Sequence, residues 1–253
     1  MFLQKLSLIN FKNLEQESLQ LEQGINCFVG NNGTCKTNIV DAIYYLSMCK
    51  SALGMSDGQC IRHGENFFVI EGSYTTPEQR REQISCTFQR GAQKVMKRNG
   101  KAYERLSEHV GLIPVVIVSP ADSVLITDAA EERRRYLNAF ISQLDNEYLS
   151  AIIRYNEVLA TRNKYLKMGS EEYMLQIYDQ QLAAVSGKIH EARQQMVEQL
   201  LPVVCEYYKA LSGDREEVSL AYRSELNEQP MMEVLAESRG RDLANGFTTC
   251  GLH

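Results

Sequence analysis

The eight residues Gly30-Asn31-Asn32-Gly33-Thr34-Cys35-Lys36-Thr37 constrain this chain more than any other stretch. Before them runs Ile25-Asn26-Cys27-Phe28-Val29, a compact apolar segment that reads as a buried strand. After them Ile39, Ala42, Ile43 and Leu46 share one helical face to about Cys49. Strand, glycine turn and helix form the frame of a phosphate-binding loop, whose template is G-x-x-x-x-G-K-[ST]. Gly30, Lys36 and Thr37 match it, and Cys35 stands where the template has its second glycine. The chemistry asks for small residues because backbone N–H groups must wrap closely round a phosphate at a positively polarised helix end. Gly30, Asn31, Asn32, Gly33, Thr34 and Cys35 are therefore expected to form the cradle for ATP. Lys36 is expected to reach the β- and γ-phosphates, and Thr37 to place its hydroxyl on Mg²⁺. A side chain at Cys35 should crowd the phosphate. A thiolate beside Lys36 at a helix start would oppose it electrostatically as well. The expectation is weakened rather than abolished nucleotide binding.

Composition excludes several other classes. With 44% apolar and 23% charged residues the chain has the mix of an ordinary globular protein, at net charge −5. Gly111 to Val118, its longest uncharged apolar run of note, is far too short to cross a bilayer. The start, Met1-Phe2-Leu3-Gln4-Lys5, lacks the layout of a signal peptide, so the cytoplasm is the expected compartment. Seven cysteines, an odd number with no C-x-x-C pair, argue against a zinc ribbon or a disulfide framework. His63, His109, His190 and His253 are scattered and make no metal triad.

Strands are expected at 2–11, 17–22, 25–29, 67–75, 83–98, 113–118 and 216–223, with a strand start at 247–249. The 113–118 run is continuous enough to be buried on both faces. Helical spacing dominates from about 131 to 211, broken at Gly169-Ser170 into a hairpin of roughly 146–167 and 171–200, and a further helix is expected at 230–244. Leu211-Ser212-Gly213-Asp214 reads as a helix stop with a terminal glycine. Three regions follow: a phosphate-loop lobe at 1–130, a helical subdomain at 131–215, and residues 216–253. Tyr148, Tyr155, Tyr165, Tyr173 and Tyr178 lie in the helical part, where packing and base stacking are the alternatives.

Residues 80–105 hold eight Lys/Arg against two Glu, which is locally basic in an acidic chain. Such a cluster is either a solvated hairpin face or a surface for nucleic-acid phosphates, with Lys94, Lys97, Arg98 and Lys101 as its centre. Arg133-Arg134-Arg135 is balanced by Glu131-Glu132 and reads as a salt-bridged helix start.

Taken together, several segments resemble the RecF family of bacterial recombination-repair ATPases, relatives of SMC and ABC-type heads. They are Asn10-Phe11-Lys12-Asn13-Leu14, the loop 30–37 with Asn38, Asp41-Ala42-Ile43-Tyr44-Tyr45-Leu46 and Arg62-His63-Gly64. Ser119-Pro120-Ala121-Asp122, Arg133 to Leu137, Tyr155 to Leu159 with Arg162-Asn163, and the closing Gly246-x-Thr248-x-x-Gly251-x-His253 complete the set. The resemblance implies an α/β fold: an ABC-type ATPase head lobe, with a mixed sheet carrying the phosphate-loop helix, plus a helical-hairpin subdomain. It implies that Lys12 and Asn13 lie near the phosphates. It also implies an ATP-gated homodimer on gapped DNA, at the junction of single- and double-stranded DNA, which helps RecO and RecR load RecA there. Signature loop and Walker B strand would lie past His253, so the C-terminal part of the head is expected to be absent, 216–253 to begin the return to it, and hydrolysis to be lacking. The rival expectations are a non-catalytic interaction remnant and a small-molecule P-loop kinase.

Overall fold

The computed structural model describes residues 1–127, 130–169 and 172–252. Ser170 of the hairpin break and His253 lie outside them. The chain divides into two compact units, 1–122 and 123–253.

In the first unit, strands β1 (Phe2–Phe11), β2 (Leu14–Gln20), β3 (Phe67–Thr75), β4 (Arg81–Gln89), β5 (Val95–Arg98) and β6 (Lys101–Ala102) form a sheet in the order β2-β1-β3-β4-β5-β6. Every ladder is antiparallel. Alternation sends Leu6, Leu8, Phe68, Ile70, Ile84, Cys86 and Met96 to one face. Helix α1 (Lys36–Met48) covers that face with Ala42, Tyr45 and Leu46. Edge-to-face contacts join Phe11, Tyr45 and Phe68, with centroids 5.4–6.0 Å apart. A Cβ at Gly72 would stand 2.8 Å from Leu46 Cδ1 and 2.6 Å from the Tyr74 ring, so only glycine lets α1 settle this closely on β3.

Three expected strands have no ladder. Residues 25–29, 113–118 and 216–223 are extended or irregular and join no strand ladder among the described residues, and neither does 247–249. Ile25 and Val29 are 93% and 90% exposed, and Val118 82%. Apolar run and length describe a segment's own preference, but a strand also needs a neighbour for its N–H and C=O groups. The single strand expected at 83–98 is two, β4 and β5, because Gly91 takes a left-handed turn between them.

The second unit contains α2 (Val124–Thr127), α3 (Ala130–Leu144), α4 (Asn146–Lys167), α5 (Glu172–Ser212) and α6 (Met231–Asn245). Asp145 caps α4, accepting from the N–H of Glu147 at 2.8 Å and Tyr148 at 3.0 Å. Helix α5 runs on beyond residue 200 through Pro202, which forfeits one intrahelical bond, and ends at the expected stop, left-handed Gly213. Tyr148, Ile152, Tyr155, Leu182, Ile189, Leu235 and Leu252 form the core. Tyr165 and Tyr178 stack on each other. Arg162, wholly buried, donates through Nε to Asp179 at 2.7 Å and through Nη1 to Asp242 and Thr248, each at 2.7 Å. That network ties α4, α5, α6 and the glycine-threonine segment 246–251 together. No helix among the described residues is long and apolar enough to cross a membrane.

Candidate nucleotide site

The loop 30–37 is a closed turn leading into α1. The Thr34 hydroxyl donates to the Asn31 carbonyl at 2.8 Å. A Cβ on Gly30 would sit 2.9 Å from that same hydroxyl, so glycine is required there. Lys36 folds its ammonium back over the turn, donating to the carbonyls of Gly30 at 2.8 Å and Asn31 at 2.7 Å. The loop thus holds the lysine charge against its own carbonyls. Intrahelical bonding starts only at Asn38 and Ile39, whose N–H groups reach the Cys35 carbonyl. The earlier N–H groups, including those of Lys36 and Thr37, are the free end of α1. No acidic residue occupies the first turn. Thr37 is exposed there.

Cys35 explains why the template prefers glycine. As N-cap residue it adopts φ 66°, ψ 8°, the left-handed region in which a Cβ is strained. Its side chain leans on the core of the first unit, and its Sγ also reaches back to the Gly33 carbonyl of the turn at 3.8 Å.

Lys12 and Asn13 sit in the β1–β2 turn, and α1 fastens both. Asn13 Oδ1 accepts a short hydrogen bond from Asn38 Nδ2. Lys12 Nζ lies 2.6 Å from Asp41 Oδ2, with the two side chains 6% and 0% exposed. The segment after the second turn runs alongside, through Lys12 N–H to Cys60 O at 2.7 Å and Arg62 N–H to Asn10 O at 2.9 Å. Between these pieces opens a cavity of about 740 Å³, whose polar wall includes Asn13, Asn38, Gln59, Arg62, His63 and Arg90. Asp41, Gln59 and Arg90 were not among the expected site residues. Asp41 carried a readable signal, a carboxylate among the apolar positions Ile39, Ala42 and Ile43, which requires a partner. Gln59 and Arg90 carried none, since only the fold brings them together.

The four basic candidates part company. Lys94 donates to both oxygens of Asp57 at 2.9 and 3.0 Å and to the Cys49 carbonyl at 2.6 Å. Arg98 binds Glu82 through Nε and Nη2 at 2.9 and 2.8 Å. That bond, with help from Asn99, draws the Glu82 carboxyl down to about 2. Lys97 and Lys101 stand exposed on the β5–β6 hairpin. Lys94 and Arg98 are thus committed to the fold, and the free charge on this hairpin is at Lys97 and Lys101.

Residues 1–220 match a family described as "AAA ATPase domain". The whole chain is 43% identical over 255 residues to the "DNA replication and repair protein RecF" of Bacteroides fragilis, covering 69% of that protein. It is 42% identical over 258 residues to the protein of the same description from Flavobacterium johnsoniae, covering 72% of it. Among solved structures, one described as "recombination mediator protein RecF-ATPrS in RecFOR pathway" superposes with TM-score 0.91 at 28% identity, over 99% of this chain and 71% of that one. Another, described as "RecF-ATP", superposes with TM-score 0.87 at 27% identity, over 99% and 70%.

Proposed function

The chain belongs to the RecF family of DNA replication and repair proteins, and on that premise we propose that it binds ATP in the loop 30–37 and acts at gapped DNA. The observation that carries the reading is the Lys36 ammonium held against the Gly30 and Asn31 carbonyls at the open end of α1. A triphosphate there meets helix N–H groups, a fixed cation and no nearby first-turn carboxylate. The cavity beside the loop is large enough for the nucleoside half, which Asn13, Asn38, Gln59 and His63 can meet with hydrogen bonds.

Mg²⁺ fits this arrangement through the exposed Thr37 hydroxyl, with phosphate oxygens and water as its other ligands. Bound, it would neutralise charge on the β- and γ-phosphates. No residue is assigned to water activation, so the proposal covers binding and not turnover.

DNA contact is assigned to the exposed hairpin lysines Lys97 and Lys101, which would meet backbone phosphate without reading sequence. In this reading, work with RecO and RecR at RecA loading, ATP-dependent pairing of two copies, and a cytoplasmic location come from the family. The test is binding to a gapped duplex with and without ATP. Nucleotide-dependent affinity supports the assignment, and identical affinity in both conditions contradicts it.

A further inference from the structure

Lys12 lines the nucleotide cavity, yet its charge is turned away from it. Among the described residues the Lys12 ammonium has one polar partner, Asp41 Oδ2 at 2.6 Å, besides an approach of 5.6 Å to the Phe11 ring. Asp41 is itself fixed from the other side. Its Oδ1 accepts the Ala52 N–H at 2.6 Å, and its Oδ2 accepts the Ser51 hydroxyl at 2.8 Å. It sits one helical turn beyond Thr37 on α1, and Lys12 is held by a turn whose flanking Asn10 and own backbone are both left-handed, at φ 51° and 56°. The carboxylate is therefore fixed from several sides, whereas the ammonium is held by that carboxylate and the Phe11 ring alone among the described residues.

Resting on the nucleotide-site reading above, we propose that Asp41 is a positioning residue that withholds the Lys12 charge from bound nucleotide, so that Lys36 alone presents a lysine ammonium to the phosphates. A buried ammonium keeps its place only while a carboxylate neutralises it. Without that carboxylate, the flexible lysine stem carries its head toward the nearest water, which is the cavity. There it would add a second positive charge to the phosphate site. Asp41 thus sets how strongly the site holds a triphosphate compared with an uncharged nucleoside.

Two variants test this, with MgATP and adenosine as probes across a series of salt concentrations. In Asp41→Asn the ATP affinity should rise by roughly five-fold at low salt, adenosine affinity should stay constant, and the salt dependence for ATP should steepen. A purely structural Asp41 would lower both affinities together. In the double variant Lys12→Met/Asp41→Asn, which removes both charges, ATP affinity should stay within about two-fold of the parent. A larger loss there means that Lys12 itself touches the phosphates, and overturns the proposal. So does an Asp41→Asn protein whose ATP affinity is unchanged or lower. Should Asp41→Asn not fold, the double variant decides alone. Lys36→Ala separates the two levels. If it binds ATP as the parent does, the nucleotide site itself is misassigned and this proposal falls with it. If Lys36→Ala loses ATP while the Asp41 variants behave otherwise than stated, only the role of Asp41 is wrong.

Discussion

Lys94 and Asp57 form an ion pair of 2.9 Å on the underside of α1, with the lysine side chain only 12% exposed. The same ammonium donates to the carbonyl of Cys49, the left-handed residue that ends the helix, so the pair also closes the C-terminus of the phosphate-loop helix. Lys94→Ala would leave Asp57 and that carbonyl without their cation. The expected cost is about 2–3 kcal/mol, somewhat below the range for a fully buried pair because Asp57 keeps some water contact. Urea unfolding of the two proteins measures it.

Lys97 and Lys101 should behave in the opposite way. Both are exposed, and neutralising them together should leave the urea midpoint nearly unchanged. Binding to a gapped duplex should weaken, and the slope of log affinity against log salt should fall by about two, one for each lost phosphate contact. An unaltered slope would make the hairpin a solvated face.

Part of the candidate site is legible in the sequence alone, and the reasons are local. Gly30, Lys36 and Thr37 announce themselves because the turn chemistry resides in contiguous residues. Lys94 and Lys97 could not be told apart, since which lysine meets an acid depends on Asp57 lying more than thirty residues upstream. The unladdered segments around Val29 and Val118 teach the same point about the sheet. Their apolar character was readable, but pairing is decided by a neighbour. The central strands were easier, because β1, β3 and β4 alternate between a covered and an open face.

Cys35→Gly should stabilise the chain by about 0.5–1 kcal/mol, since glycine accepts the left-handed conformation without the Cβ strain and loses only part of that gain to chain entropy. Cys35→Val should destabilise it, a β-branched side chain being worse at that backbone geometry. Unfolding midpoints of the three proteins check the order Gly, Cys, Val. ATP should also bind the glycine variant more tightly, because the crowding of the phosphate turn is relieved.

Two groups give separate windows of pH sensitivity. His109 is wholly buried, its Nε2 2.6 Å from the Leu46 carbonyl, and burial lowers its pKa below the ordinary value. The unfolded chain therefore takes up a proton that the folded chain refuses. Stability from this group is complete above about pH 7 and is lost progressively as pH falls below the unfolded value near 6.5 toward the lower folded one. Glu82, drawn down to about 2, contributes stability that is complete above its ordinary value near 4.5 and is lost as pH falls toward 2. Chemical denaturation from pH 8 to 3 should show both steps. His109→Gln should flatten the upper one alone, and Glu82→Gln the lower one.

The most direct measurement is a titration of MgATP against the unmodified chain and Lys36→Ala at matched salt. Lys36 is the side chain that holds the loop carbonyls and faces the phosphates in this account. Its removal should cost at least about ten-fold in ATP affinity, with adenosine binding little changed because the nucleoside cavity is intact. Equal ATP affinity in the two proteins would contradict the assignment of residues 30–37 as the nucleotide site.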